Sequence, residues 1–177
     1  MKRDGLIDLN GAIQHPGCKL AFEVSTSLGQ EQDLDLLEPV TGSLHVECTG
    51  NLLILSGEFR SRCVLECARC GAPLETDLDF EMEDHIVVEG TPSCYGTGDF
   101  ARVEPEEDFP IFDGNSLICD AYVRQGVLIN LPGQPLCKFG WDGACPHALR
   151  TESARPDTGH PGMQNLGKLL HPQEPGA

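Results

Sequence analysis

Positive charge is scarce in this chain. Twelve lysines and arginines stand against 28 aspartates and glutamates, a formal net charge of −16 over 177 residues. A surface of that sign repels phosphate, so charge-driven contact with nucleic acid is a poor expectation, and a basic protein is the partner such a field attracts. Long apolar runs are missing too: the longest, Leu52 to Leu55, is far too short to cross a bilayer. Lys2 and Arg3 are followed by Asp4, Asp8 and Asn10 where a signal peptide needs its apolar segment, which points to a cytoplasmic protein with no membrane role. Catalytic signatures are also lacking. There is no Walker or dinucleotide-binding glycine pattern, no H-x-x-H or H-E-x-x-H among the six histidines, and no nucleophile-elbow serine. The expectation is a protein that binds and does not catalyse.

Cysteine is the residue type present in excess: Cys18, Cys48, Cys63, Cys67, Cys70, Cys94, Cys119, Cys137 and Cys145. An odd count without a signal peptide argues against a disulfide framework. Cys48, Cys63 and Cys119 occupy positions patterned as core, where a thiol behaves as a small apolar group.

Period-two alternation, the mark of a strand with one buried face, dominates the first half of the chain. It runs from Lys19 to Leu28, from Ser43 to Cys48, from Leu52 to Glu66 with Gly57 as a bend or bulge, and from Leu74 to Gly90. In the last of these, Leu74, Thr76, Leu78, Phe80 and Met82 share one face, and Glu75, Asp77, Asp79, Glu81 and Glu83 the other. Residues 1–18 and 29–42 read as connections, and 90–110 as a loop. Asn115 or Ser116 offers an N-cap to a helix over 117–130, with Leu117, Ile118, Ala121, Tyr122, Gln125 and Leu128 at helical spacing and Pro132 beyond. The fold class is α+β: an antiparallel, barrel-like sheet with one helix and a Cys-rich C-terminal loop. Residues 1–150 read as a single domain, and 151–177, with four prolines and four glycines, as a separate C-terminal segment.

The C-x-x-C of Cys67-Ala68-Arg69-Cys70 falls in the turn between the two longest strands. Such a knuckle lets both thiolates reach one Zn²⁺, and Arg69 and nearby backbone N–H groups would stabilise them. Four ligands are needed, and Cys137 with Cys145, in a loop rich in Gly, Pro and aromatics, supplies the second pair; His147 is the substitute. A redox reading of Cys67 and Cys70 is disfavoured because that motif normally opens a helix after a strand, whereas this one caps a hairpin.

These residues carry a family resemblance. Leu65-Glu66-Cys67-Ala68-Arg69-Cys70 resembles the L-x-C-x-R-C signature of the YceD family. Asp113, Leu117, Leu128, Leu131-Pro132 and Pro135-Leu136-Cys137 look like its second block, Gly143 and Cys145-Pro146 its Gly-x-Cys-Pro, and His160 to Leu170 its C-terminal segment. The resemblance implies a non-enzymatic bacterial or plastid protein linked to accumulation of large-subunit ribosomal RNA. Many relatives carry further cysteines where this chain has Trp141 and Ala148, which leaves Cys67, Cys70, Cys137 and Cys145 as the four-cysteine set.

The function expected is a zinc-stapled factor for ribosome assembly, with direct contact to ribosomal RNA left open. The rivals are a thiol-disulfide oxidoreductase using Cys67 and Cys70, and a zinc-stapled adaptor for another basic protein. Symmetric closure around Cys70 and Gly71 sets Arg62 opposite Asp79 and Arg60 opposite Glu81, leaving an acid-rich face. Glu75, Asp77, Asp79, Glu81 and Glu83 are the candidate docking residues for a basic ribosomal protein of the large subunit.

Overall fold

A computed structural model describes residues 5–28, 34–96, 100–104 and 111–147. The elements in chain order are β1 (Leu6–Asp8), α1 (Asn10–Ile13), β2 (Lys19–Thr26), β3 (Val40–Cys48), β4 (Leu52–Glu66), β5 (Pro73–Glu89), β6 (Arg102–Val103), β7 (Phe112–Asp113), β8 (Ser116–Ile118) and α2 (Cys119–Asn130). They form an α+β fold of antiparallel sheets, the larger curled into a half-barrel in the order β2-β3-β4-β5-β6 and the smaller in the order β1-β8-β7. Two compact units separate by contact. Unit 1 is Met1–Leu65 with Pro73–Gly133, and unit 2 is Glu66–Ala72 with Gln134–Ala177. The Pro/Gly-rich segment 151–177 lies outside the described residues, as does Ala148.

Unit 1 holds the apolar core. Alternation on β4 buries Leu53, Leu55, Phe59 and Cys63, and alternation on β5 buries Leu78, Phe80 and Val88. Phe59 and Phe80 stack with ring centroids 5.5 Å apart. Cys48, Cys63 and Cys119 are buried as their patterning required.

Gly57 is neither bend nor bulge. The β3–β4 register passes through it unbroken, Leu44 facing Gly57 between Ser43–Glu58 and His45–Ser56. A Cβ there would sit 2.7 Å from the Phe59 ring and 2.9 Å from the Ser43 carbonyl oxygen, so glycine is required by close approach.

The helix begins later than its sequence pattern predicts. Ser116 to Ile118 form β8, paired with β1, and neither Asn115 nor Ser116 caps α2, whose N-cap is Ile118 without a side-chain bond. The Asn115 amide is used elsewhere: its Oδ1 accepts from Val103 N–H, and its Nδ2 donates to Asn10 Oδ1 and to the Ala101 carbonyl. The buried face of α2 is also rotated from the expected one. Tyr122, Val123, Gly126 and Val127 point inward, while Leu128 is 41% exposed and Gln125 is exposed. Gly126 sets that rotation, because a Cβ on it would lie 2.8 Å from the Phe80 ring and overlap Met82 Sδ. Helix and β5 thus meet closer than any side chain allows.

Residues 1–18 are more than a connection. Leu9, Ala12 and Ile13 are fully buried at i, i+3, i+4 spacing around the short α1, and β1 extends the smaller sheet. β3 likewise starts at Val40, three residues before the expected Ser43, because Val40 pairs with Thr26. Leu36 bridges to Cys63, so part of the 29–42 connection lies along β4.

Candidate metal centre

The chain between β4 and β5 closes tightly. Cys67 N–H donates to the Ala72 carbonyl at 2.9 Å and Gly71 N–H to the Cys67 carbonyl at 2.9 Å, with Gly71 at φ 67°. Left-handed backbone favours glycine at this position. The loop also fixes the hairpin register, which differs from symmetric closure around Cys70 and Gly71. Arg62 Nε bonds Asp77 Oδ1 at 2.7 Å, and Cys63 Sγ meets the Thr76 carbonyl, a shift of two residues. A slip of two keeps every side chain on its expected face and changes only its partner.

The segment from Gln134 onward returns to this loop. Ala68 N–H donates to the Pro135 carbonyl at 2.8 Å, and Cys137 N–H to Cys67 Sγ at 3.4 Å. The sulfurs of Cys67, Cys70 and Cys137 all lie within 4.8 Å of one another, a cluster that could hold a metal ion. Cys145 Sγ is 3.9 Å from Cys137 Sγ but stands outside that mutual group of three. His147 is exposed.

Local electrostatics divide the cluster. Backbone N–H groups of Cys137, Cys70 and Arg69 aim at Cys67 and lower its thiol to about 6 despite burial. At Cys70 the Ala72 N–H favours the thiolate, but burial and the neighbouring thiols of Cys67, Cys145 and Cys137 outweigh it, raising that thiol to about 11. The two thiols of one loop are thus pushed in opposite directions.

Arg69 takes a different part from the one its position suggests. Its backbone N–H serves Cys67, while its guanidinium is directed at carbonyls: Nη1 donates to the Gly140 oxygen at 3.0 Å and the Gly143 oxygen at 2.7 Å. Backbone acceptors leave no mark in a residue pattern, so the part that the Pro135, Gly140 and Gly143 carbonyls play here is not legible in the sequence.

A model of the family described as large ribosomal RNA subunit accumulation protein YceD matches residues 55–170. The chain belongs to the YceD family. The match spans both cysteine pairs, so the loop of β4–β5 and the 137–145 loop fall inside the family's own extent. Comparisons with curated proteins and with solved structures return no match. Among the described residues of this family member, no helix is long and apolar enough to cross a membrane.

The second candidate site is on unit 1. Glu75, Asp77, Asp79, Glu81 and Glu83 are all exposed along β5. Asp77 pairs with Arg62, and Glu83 Oε1 lies 3.1 Å from His85 Nε2. An open hollow of about 790 Å³ brings Asp79 and Glu81 together with Glu58 and Arg60 of β4 and Glu23 of β2. The register supports that convergence, since Glu23 faces Ser43 and Ser43 faces Glu58. Glu23 and Glu58 therefore extend the acidic face across the sheet, a transverse neighbourhood that reading along one strand does not reveal.

Proposed function

We propose that this chain supports accumulation of large-subunit ribosomal RNA by binding and not by catalysis. In this reading Cys67, Cys70, Cys137 and Cys145 hold one structural Zn²⁺, and the acidic sheet face receives a basic ribosomal protein of the large subunit. One observation carries the metal. Unit 2 has only two buried residues among those described, and both are cysteines of the proposed ligand set: Cys67 and Cys145. Where the described residues of a small unit bury so little apolar surface, a staple adds the most, and the donors present are thiols. Zinc–sulfur bonds of about 2.3 Å in a tetrahedron put neighbouring sulfurs about 3.8 Å apart. The 3.9 Å between Cys137 and Cys145 fits that edge. Four thiolates close the coordination sphere and leave no position for substrate, the character of a structural site.

The oxidoreductase reading is weaker on the same grounds. A redox thiol must be reachable, whereas Cys67 is 3% exposed, and the motif runs on into a strand and does not open a helix. Binding is tested by capture from a cell lysate with and without nuclease. Ribosomal proteins retained after nuclease support the reading. Partners lost with nuclease would point to RNA as the bound species, and basic clients unrelated to ribosomes to the adaptor.

A further inference from the structure

Arg69 is the one charged side chain inside the thiol loop, and its guanidinium makes two directed bonds to main-chain oxygens. Both acceptors lie in the turn that joins Cys137 to Cys145. That turn is tight: Gly140 N–H donates to the Cys137 carbonyl at 2.9 Å and Gly143 N–H to the Phe139 carbonyl at 3.0 Å. Gly140 adopts φ 57°, and a Cβ on Gly143 would lie 2.2 Å from the Phe139 oxygen. A guanidinium, planar and permanently charged, suits the holding of two such carbonyls better than a mobile ammonium.

We infer that Arg69 is a positioning residue for the metal centre: it clamps the 140–143 turn so that Cys137 and Cys145 face Cys67 and Cys70 before metal arrives. The inference rests on the four-thiol zinc reading and adds a residue to it. Outer-shell partners of metal ligands typically change affinity by about 10–100-fold, and Arg69 belongs to that class. It reaches the ligands through two backbone carbonyls and touches no metal.

The test is competition for Zn²⁺ between the full chain and a chromophoric chelator, with amide exchange read at Gly140 and Gly143. Arg69→Ala should weaken zinc binding by about 10–100-fold while stoichiometry stays at one. The two glycine amides should exchange faster in the metal-free protein. Gly143→Ala opens the same turn from the other side, so its loss should overlap with that of Arg69→Ala in the double variant and not add to it. The penalty should also persist at high salt, because directed hydrogen bonds are not screened as a distant charge is. Zinc bound by the wild type and held as tightly by Arg69→Ala overturns the clamp and leaves the four-thiol reading intact. A penalty that salt abolishes, or one that adds fully to that of Gly143→Ala, also overturns it, since charge alone would then suffice. A wild type that binds no zinc, with the Gly140 and Gly143 amides still loosened by Arg69→Ala, sinks the four-thiol reading and keeps the clamp.

Discussion

Removing the metal should open unit 2 and leave unit 1 folded, and the nine cysteines report both events. Cys18 and Cys94 are exposed, Cys48, Cys63 and Cys119 are buried in unit 1, and the other four are the cluster of Cys67, Cys70 and Cys137 with Cys145 3.9 Å from Cys137. Among the bonds that tie 66–72 to 134–147 are Ala68 to Pro135, Cys137 to Cys67, and the two from Arg69. At about 1 kcal/mol net apiece these four contribute about 4 kcal/mol. Fixing the backbone of one residue costs about 1–2 kcal/mol, so they offset the ordering of only about two to four residues. The stretch 134–147 is much longer than that. Zinc in small four-ligand sites contributes an apparent 10–16 kcal/mol or so at neutral pH, enough to decide whether the loop is ordered. Thiol titration of zinc-loaded protein should therefore find two fast groups, rising to six on chelation and to nine in denaturant. Far-UV circular dichroism should barely change at the middle step. Six fast thiols before any chelator, or two after it, would refute the reasoning.

Three further outcomes follow from unit 1 and the thiols. Gly126→Ala gains up to about 1 kcal/mol of helix propensity but drives a methyl into Phe80 and Met82, and overpacking of this kind costs about 1–3 kcal/mol. The denaturant midpoint should fall, and an unchanged or higher midpoint would show that helix and strand part freely. Burial, with Asp84 nearby, raises the Tyr122 hydroxyl pKa far above the ordinary range. The folded pKa is the higher one, so this contribution to stability is complete below the unfolded value near 10 and is lost as pH climbs beyond it. In a Tyr95→Phe background, with Tyr122 the sole tyrosine, the phenolate band should appear only as the fold opens; a band rising from folded protein near pH 10 would contradict this. Finally, wild-type protein should not turn over a model disulfide, and Cys70→Ser should lose stability and solubility; turnover abolished in a still-folded Cys70→Ser would restore the oxidoreductase.

Much of the sheet was legible because one-sided burial writes period two into the sequence. Leu74 to Met82 against Glu75 to Glu83 is a pattern that only a half-buried strand explains, and β5 follows it along its length. The hairpin register was less legible, because it depends on how four loop residues spend their N–H groups. Arg62 meets Asp77 since Cys67 N–H bonds Ala72, a fact of backbone geometry that no side-chain pattern encodes. At α2 the glycine that weakened the helix in propensity terms is what selects its buried face. Propensity measures an isolated helix, whereas Gly126 answers to Phe80 and Met82. The missed N-terminal elements are too short for periodicity to separate from chance, although Leu9, Ala12 and Ile13 carried the spacing.

Charge is divided between the two units more sharply than the net value suggests. Residues 66–72 and 134–177 carry five acidic and five basic residues, whereas 1–65 and 73–133 carry 23 acidic and seven basic. The whole formal −16 therefore belongs to unit 1, and zinc on four thiolates would add only about −2 to unit 2. A partner steered by the field is steered by unit 1, through a field that salt screens within about 8 Å at physiological strength. Stapling and steering should then be separable. Replacing Asp77 and Asp79 with Asn and Glu81 with Gln should weaken capture of a basic ribosomal protein and flatten its salt dependence, while the two-six-nine thiol pattern stays as it was. Chelation should do the converse, moving two thiols to six with salt-dependent capture retained. Capture lost on chelation alone, with every carboxylate of β5 in place, would mean that the partner reads the thiol loop and that the acidic face serves solubility.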